Sequence, residues 1–588
     1  MNPFATRVPA RLWLWSAAAA VAAALIWAQF RGLDLLDTPT IFLSYQYPQD
    51  NTDTHTRYEL LARPLWLACG QDIVAFRLLC LALISGAVLV FWRGWRPVVA
   101  GPNNGGWAGL TLWMSAMAGL AWLPVVLGYN SLSTLFALLA LAALAPALGL
   151  GRPAQVVTAV AGSALFLAAV AATALVKPPA AVALAVWSGF LAACRWSIPP
   201  RWRIAAVGVA ATCAFAVLFV LRRRIFAPGF DPTDQYDLGG VLVSPAWVVD
   251  LVTRYTGELA PFLAAWGGDL PLVALPAVGL AVLTAAKAAG RPVQPWLART
   301  MLGVLAASVF IVVVAHDLWD GSFARAVSGQ MARLYLVLWV ALLPAWLPCL
   351  FGRQGSTHRA TAPVIIALLF LPLTCGFGST NTIYFSALNW TVFWSAGLLV
   401  VGRALASTLE EPQLPSVLGG ILALTAGAHL FSGHFLRPYM FQPPLWRQTA
   451  PAVVGHPATT LRLDPATAHF LSDVRAALDQ HGYHPGDDVF GFFNLPGVIF
   501  AVGAREPGAP WYFGTWYHGD NTDGGKIRVL PLERRQHAWI ITQADVTMFR
   551  RQFKAVGIDF PDGYEKIGQT LNPTTGLEIG IWRPKARH

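Results

Sequence analysis

Leu12–Phe30 reads LWLWSAAAAVAAALIWAQF, and Arg31–Thr40 continues RGLDLLDTPT. The first stretch carries no charge and is as long as the ~20 residues that a bilayer-crossing helix needs. Arg7 and Arg11 precede it. Gln29-Phe30-Arg31 lacks the small residues of a signal-peptide cleavage site. The stretch is therefore expected to stay in the protein as a first membrane span.

Runs of the same kind recur at 73–92, 107–127, 131–150, 155–176, 179–195, 204–221, 262–286, 299–316, 331–350, 361–376, 382–402 and 414–432. With 12–30 they predict a polytopic α-helical membrane protein of about thirteen transmembrane helices. Composition agrees. Of the 588 residues, 56% are hydrophobic and 12% charged, where a soluble protein has about 25% charged residues. The 25 Trp and 32 Phe suit a chain with many membrane interfaces. The net charge of +11 does not call for nucleic acid, because the Lys and Arg fall mainly in short loops between runs. These are Arg93 and Arg96, Arg152, Arg195 to Arg203, Lys287 to Arg299, Arg353 to Arg359, and Arg403. All lie on one side if the N-terminus is cytoplasmic, as the positive-inside rule requires. Arg222, Arg223 and Arg224 break the pattern by falling on the outer side.

An odd number of spans places the tail outside. Composition shifts near Arg437, dividing the chain into a transmembrane domain, 1–436, and a soluble domain, 437–588. The tail lacks cysteine, so no disulfide is expected in it; the six cysteines end at Cys375. Ser472 to His481 reads as a helix. Val489 to Phe493, Val498 to Val502, Trp539 to Thr542 and Leu577 to Trp582 read as strands, with Asn494 to Gly497 as a turn. A helix is expected at about 546–556. This alternation predicts a small extracytoplasmic α/β domain. The location expected from these features is a bacterial inner membrane, with the N-terminus cytoplasmic and the tail periplasmic.

Two outer loops are long: 31–72 and 222–261. The first places Asp34 and Asp37 at the mouth of the first span, followed by Tyr45, Tyr47, His55, Arg57, Tyr58, Glu59 and Arg63. Pro39, Pro48 and Pro64 break this stretch into segments suited to short helices along a membrane surface. A first span, an acidic pair at its outer end, a long loop, about a dozen further spans and an outer tail together resemble the GT-C superfamily of integral-membrane glycosyltransferases. This group includes the aminoarabinose transferases of lipid A and the protein O-mannosyltransferases. Lys177-Pro178-Pro179 and Gly376 to Asn381 are also similar to family elements. The family often has Asp-Glu in the first loop, whereas here Thr38 follows Asp37.

The resemblance implies transfer of a sugar from a polyprenyl-phosphate donor to an envelope lipid, glycan or protein acceptor on the outer face, with inversion. Asp37, or alternatively Asp34, would be the general base that makes the acceptor hydroxyl nucleophilic. Negative charge grows on the leaving phosphate, so outer cations would stabilise it. The candidates are Arg57, Arg63, Lys177, Arg222, Arg223, Arg224, Arg325 and Arg333, with His55, Tyr58 and Asn381 completing the substrate-binding set. The expected partners are the lipid-linked donor, membrane lipids and the acceptor.

Each candidate also has a plainer reading. Asp34 and Asp37 could cap a helix, Lys177 could snorkel to the interface, and Arg222–Arg224 could meet anionic headgroups. No cofactor is expected. His316, Asp317 and Asp320 read as loop polars, with a divalent cation as the alternative. A transporter or flippase for a lipid-linked glycan is the competing function. It predicts mid-span charges and repeat symmetry, whereas the charges here sit mostly at span ends. A scaffold whose tail binds envelope partners would not need the acidic first loop.

Overall fold

The structure is a computed structural model. It describes residues 10–51, 57–100, 105–120, 125–146, 156–195, 270–319, 330–351, 355–376, 383–438, 443–492, 494–512, 522–542 and 550–585, with isolated positions between them.

Among the described residues, a helix stands at every apolar run except 204–221, which lies outside them. The first is α1 (Ala10–Ala28). The stretch that follows then forms α2 (Asp37–Gln46), a 3-10 turn (Pro48–Asp50) and α3 (Tyr58–Ala68). There follow α4 (Ile73–Val99), α5 (Gly105–Ala118), α6 (Tyr129–Leu144), α7 (Val156–Val176), α8 (Pro178–Arg195), α9 (Leu270–Ala288), α10 (Pro295–Val313), α11 (Gln330–Trp346), α12 (Gly355–Cys375), α13 (Thr391–Leu409) and α14 (Leu414–Leu430). Six of the described helices are long and apolar enough to cross a membrane.

Small residues and hydroxyls hold these helices together, as expected where apolar burial gives no preference over lipid. A Cβ on Gly397 of α13 would come within 2.5 Å of the Trp339 ring on α11. Ser115 and Ser395 share a hydrogen bond of 2.7 Å between α5 and α13. Thr111 of α5 donates to Gly419 O of α14 at 3.0 Å. Arg77 is buried in α4, and its Nη1 donates to the carbonyls of Gln29, Arg31 and Gly32 at 3.0–3.3 Å. It thus satisfies carbonyls just beyond the end of α1, where no intrahelical donor remains.

The tail begins with the antiparallel pair β1 (Ala450–Val454) and β2 (Thr459–Leu463). Next comes α15 (Pro465–Asp479), with Asp464 accepting from Thr467 N at 3.0 Å. The Asp464 cap and Pro465 start this helix earlier than the expected Ser472. A four-stranded sheet follows, in the order β3 (Val489–Phe492), β4 (Trp539–Thr542), β6 (Glu578–Pro584), β5 (Tyr564–Leu571). The β3–β4 pair is parallel and the others are antiparallel.

One expected strand is a helix. Val498–Val502 lies largely within α16 (Pro496–Ala501), whose six residues are all buried. A run buried on all sides has no period to separate strand from helix. Pro496 in the first turn, where its missing N–H costs nothing, starts it as a helix. The helix expected at 546–556 appears as Arg550–Ala555, with 543–549 outside the described residues.

The tail packs directly on the segment that follows α1. Gly32 N donates to Arg462 O at 2.9 Å and Arg462 N to Phe30 O at 3.0 Å, extending β2 along the exit of α1. Gly497 N donates to Leu35 O at 3.0 Å. A Cβ at Gly497 would lie 2.3 Å from Leu35 Cα, a distance that backbone cannot tolerate. Gly497→Ala should therefore destabilise the protein by about 1–3 kcal/mol, the usual cost of overpacking a tight site. Thermal unfolding in detergent checks this, and an unchanged midpoint would show that the contact yields freely.

Candidate functional site

Asp37 opens α2, a helix whose entry is set by the other loop carboxylate. Asp34 is buried. Its Oδ1 accepts from Leu36 N at 3.0 Å and from Thr38 N at 3.1 Å. Those N–H groups would otherwise lack partners at a helix start. Burial raises the Asp34 carboxyl above the usual carboxylate range, partly offset by Thr38, the Leu36 N–H and Arg77. These bonds hold the turn that presents Asp37.

Asp37 is partly exposed and close enough to the phenols of Tyr58 and Tyr129 to act on both electrostatically. Tyr58 comes from the start of α3. It is buried, and its hydroxyl donates to Ser44 Oγ at 3.2 Å. Burial pushes the Tyr58 phenol well up, with smaller contributions from Glu59, Tyr129 and Asp37. It therefore remains a neutral hydrogen-bond donor at any physiological pH. The Tyr58 and Tyr129 rings lie 6.5 Å apart.

Tyr129 opens α6 next to Asn130, whose side chain partly offsets the rise that burial gives the Tyr129 phenol. Asn130 Oδ1 in turn accepts from Lys177 Nζ at 3.4 Å. Lys177 sits in the break between α7 and α8 and is buried. Removal from water lowers its ammonium to about 8. Arg57 N donates to Leu175 O at 2.8 Å, fastening the start of α3 beside this break. A carboxylate, two phenols, an amide and an ammonium from three separate parts of the chain thus lie near one another: Asp37 acts electrostatically on Tyr58 and Tyr129, and Asn130 accepts from Lys177.

The remaining candidates are placed differently. The Arg57 guanidinium pairs with buried Glu59 at 2.8 Å. Arg63 Nε donates to Tyr45 O at 3.0 Å, closing the last turn of α2. Arg333 is buried in α11. His55, Arg222, Arg223, Arg224, Asp320, Arg325 and Asn381 lie outside the described residues. Among the described residues, no group of three His, Cys, Asp or Glu side chains is arranged to hold a metal ion. Tyr129 and Asn130 are not among the candidates that the sequence offers. Their place after Gly128 at a span entry was the available signal, and it could not reveal that Lys177 would be the neighbour.

No known protein family matches the sequence, and no curated protein matches it. Among solved structures the chain is similar to the crystal structure of ArnT from Cupriavidus metallidurans in the apo state. The match has 12% identity and a TM-score of 0.38, and covers 97% of this chain and 98% of that one. At that identity and TM-score the match assigns this chain neither a family nor an activity.

Proposed function

We propose that this chain is an inverting membrane glycosyltransferase. It moves a sugar from a polyprenyl-phosphate donor to an envelope lipid, glycan or protein acceptor on the outer side of the inner membrane. The observation that carries the reading is this grouping: a partly exposed carboxylate at a helix start near two phenols, with the amide next to one of them accepting from a buried ammonium. A transporter has no need of a general base and a phosphate-stabilising cation in one cluster; a transferase needs both.

In this reading the Asp37 carboxylate accepts the acceptor's hydroxyl proton as the oxygen attacks the anomeric carbon. The glycosidic bond to phosphate breaks on the opposite face, and the electron pair leaves on the phosphate oxygen. Lys177, as an ammonium in a water-poor site, stabilises the charge that gathers there. Tyr58 and Tyr129 line the path between the two. About thirteen spans with a cytoplasmic N-terminus place this cluster and the tail, 437–588, on the outer face. Arg222–Arg224 remain candidates for the donor phosphate on the second long loop.

The test is reconstitution of the full chain in vesicles carrying a polyprenyl-phosphate sugar labelled in the sugar. A transferase releases polyprenyl monophosphate and moves the label to an acceptor extract. Label that crosses the bilayer still attached to its lipid would establish the transporter instead.

A further inference from the structure

A 10-residue helix such as α2 is marginal on its own, since isolated helices shorter than about 12–15 residues barely hold together in water. The place of Asp37 is therefore set by what α2 packs against. Much of that contact comes from the tail, and it falls at three points along the helix. Before its start, Gly497 N holds Leu35 O. At its middle, Phe42 stacks on Phe500 of α16 with ring centroids 5.2 Å apart. At its end, Gln46 donates to His456 O at 2.8 Å.

Just beyond that end lies Asp50, a buried carboxylate in the 3-10 turn. Arg505 and Arg534 of the tail both pair with it, Arg534 Nη1 at 3.1 Å from Asp50 Oδ1. Arg534 also grips Asp488 through two bonds of 2.7 and 2.8 Å. Arg505 Nε approaches Asp488 at 3.7 Å, and its Cζ lies over the Tyr47 ring, 5.8 Å from the ring centroid. Two carboxylates and two guanidiniums balance, so the group can be half-buried without an unpaired charge. Directional, bidentate arginine bonds of this kind fix geometry as well as adding energy.

We propose that Asp50 is a positioning residue: the Asp50–Arg505–Arg534–Asp488 clasp locks α2 to the tail and thereby holds Asp37 at the cluster. This rests on the assignment of Asp37 as the base. It gives the tail a part in the reaction without its touching substrate. Asp50 acts through α2, whose two ends the clasp and the Leu35–Gly497 contact hold against the same body.

Amide hydrogen exchange on the full-length protein tests this without needing any activity. In Asp50→Asn, amides of 37–46 should exchange about tenfold faster, while those of 73–99 and 489–492 stay unchanged, as for a local opening. Arg534→Gln should do the same, and Asp50→Glu should largely restore protection. Turnover should fall in proportion in Asp50→Asn, with KM for the donor unmoved. Unchanged exchange in α2 overturns the proposal, as does acceleration spread evenly over the membrane helices and the sheet. Faster α2 exchange with full turnover overturns the positioning role. If the wild-type protein transfers no sugar but the exchange pattern appears, the transferase reading fails and the clasp stands.

Discussion

Asp37→Asn is expected to lower kcat by about a hundredfold to ten-thousandfold, the range over which general bases contribute. KM for the lipid donor should change little. Asparagine keeps the size of the side chain and its place at the start of α2, so expression and thermal unfolding should match wild type. It cannot take the acceptor proton, and that is the only step removed. The contrast is with Asp34→Asn. Asp34 is buried; its Oδ1 accepts from Leu36 N and Thr38 N, and its Oδ2 accepts from Thr38 N at 3.3 Å, so an amide there turns its NH2 toward the Thr38 N–H. The expected cost is about 1–3 kcal/mol of stability, visible as a lower unfolding midpoint. Two carboxylates three residues apart should thus fail in different ways, one in turnover and one in folding. The measurement is steady-state transfer alongside unfolding for both variants. Full activity in Asp37→Asn, or a loss of kcat with intact stability confined to Asp34→Asn, would remove Asp37 from the role of base.

The difference between the two aspartates was invisible in the sequence. Both sit in one short turn after the first span, and nothing in RGLDLLDTPT says which carboxylate points inward. That depends on Arg77 and on the tail, which folds over this turn from more than four hundred residues away. The helices of the membrane part were legible because each apolar run is long enough to have one reading. The tail was legible in part. Trp539–Thr542 shows its strand, but the fully buried Pro496–Ala501 has no alternation to betray a helix. Lys177 stands out in the sequence because a charge beside two prolines at a span end is unusual. Its partner does not, because Asn130 meets it only after α6 and α7 pack together. Asp50 gave no signal at all, since a lone Asp in a Pro-rich loop reads as solvated until Arg505 and Arg534 are in place.

Lys177→Met should raise KM for the donor by about tenfold to a hundredfold. That corresponds to losing one charge-assisted bond to phosphate, worth about 1.5–3 kcal/mol. An ammonium has three donors; Asn130 takes one, and a phosphate can take the others. Stability should move the opposite way. The free protein holds a cation in a desolvated break between two helices, and this depresses the ammonium to about 8 from 10.5. Between those values the unfolded chain binds more protons than the folded one, so folding stability should rise as pH climbs from about 8 toward 10.5. Below about 8 both states are protonated and the full burial cost remains. Lys177→Met removes that cost, so at pH 7 it should unfold no lower than wild type and lose the rise between 8 and 10.5. Donor binding has the reverse sign, because it needs the ammonium. The wild-type KM for the donor should climb as pH passes 8, and the climb should vanish in Lys177→Met. A donor KM that is flat from pH 7 to 9, or unchanged in Lys177→Met, would take Lys177 away from the phosphate. A residue kept for packing alone could not produce opposite responses in stability and in donor binding across one pH window.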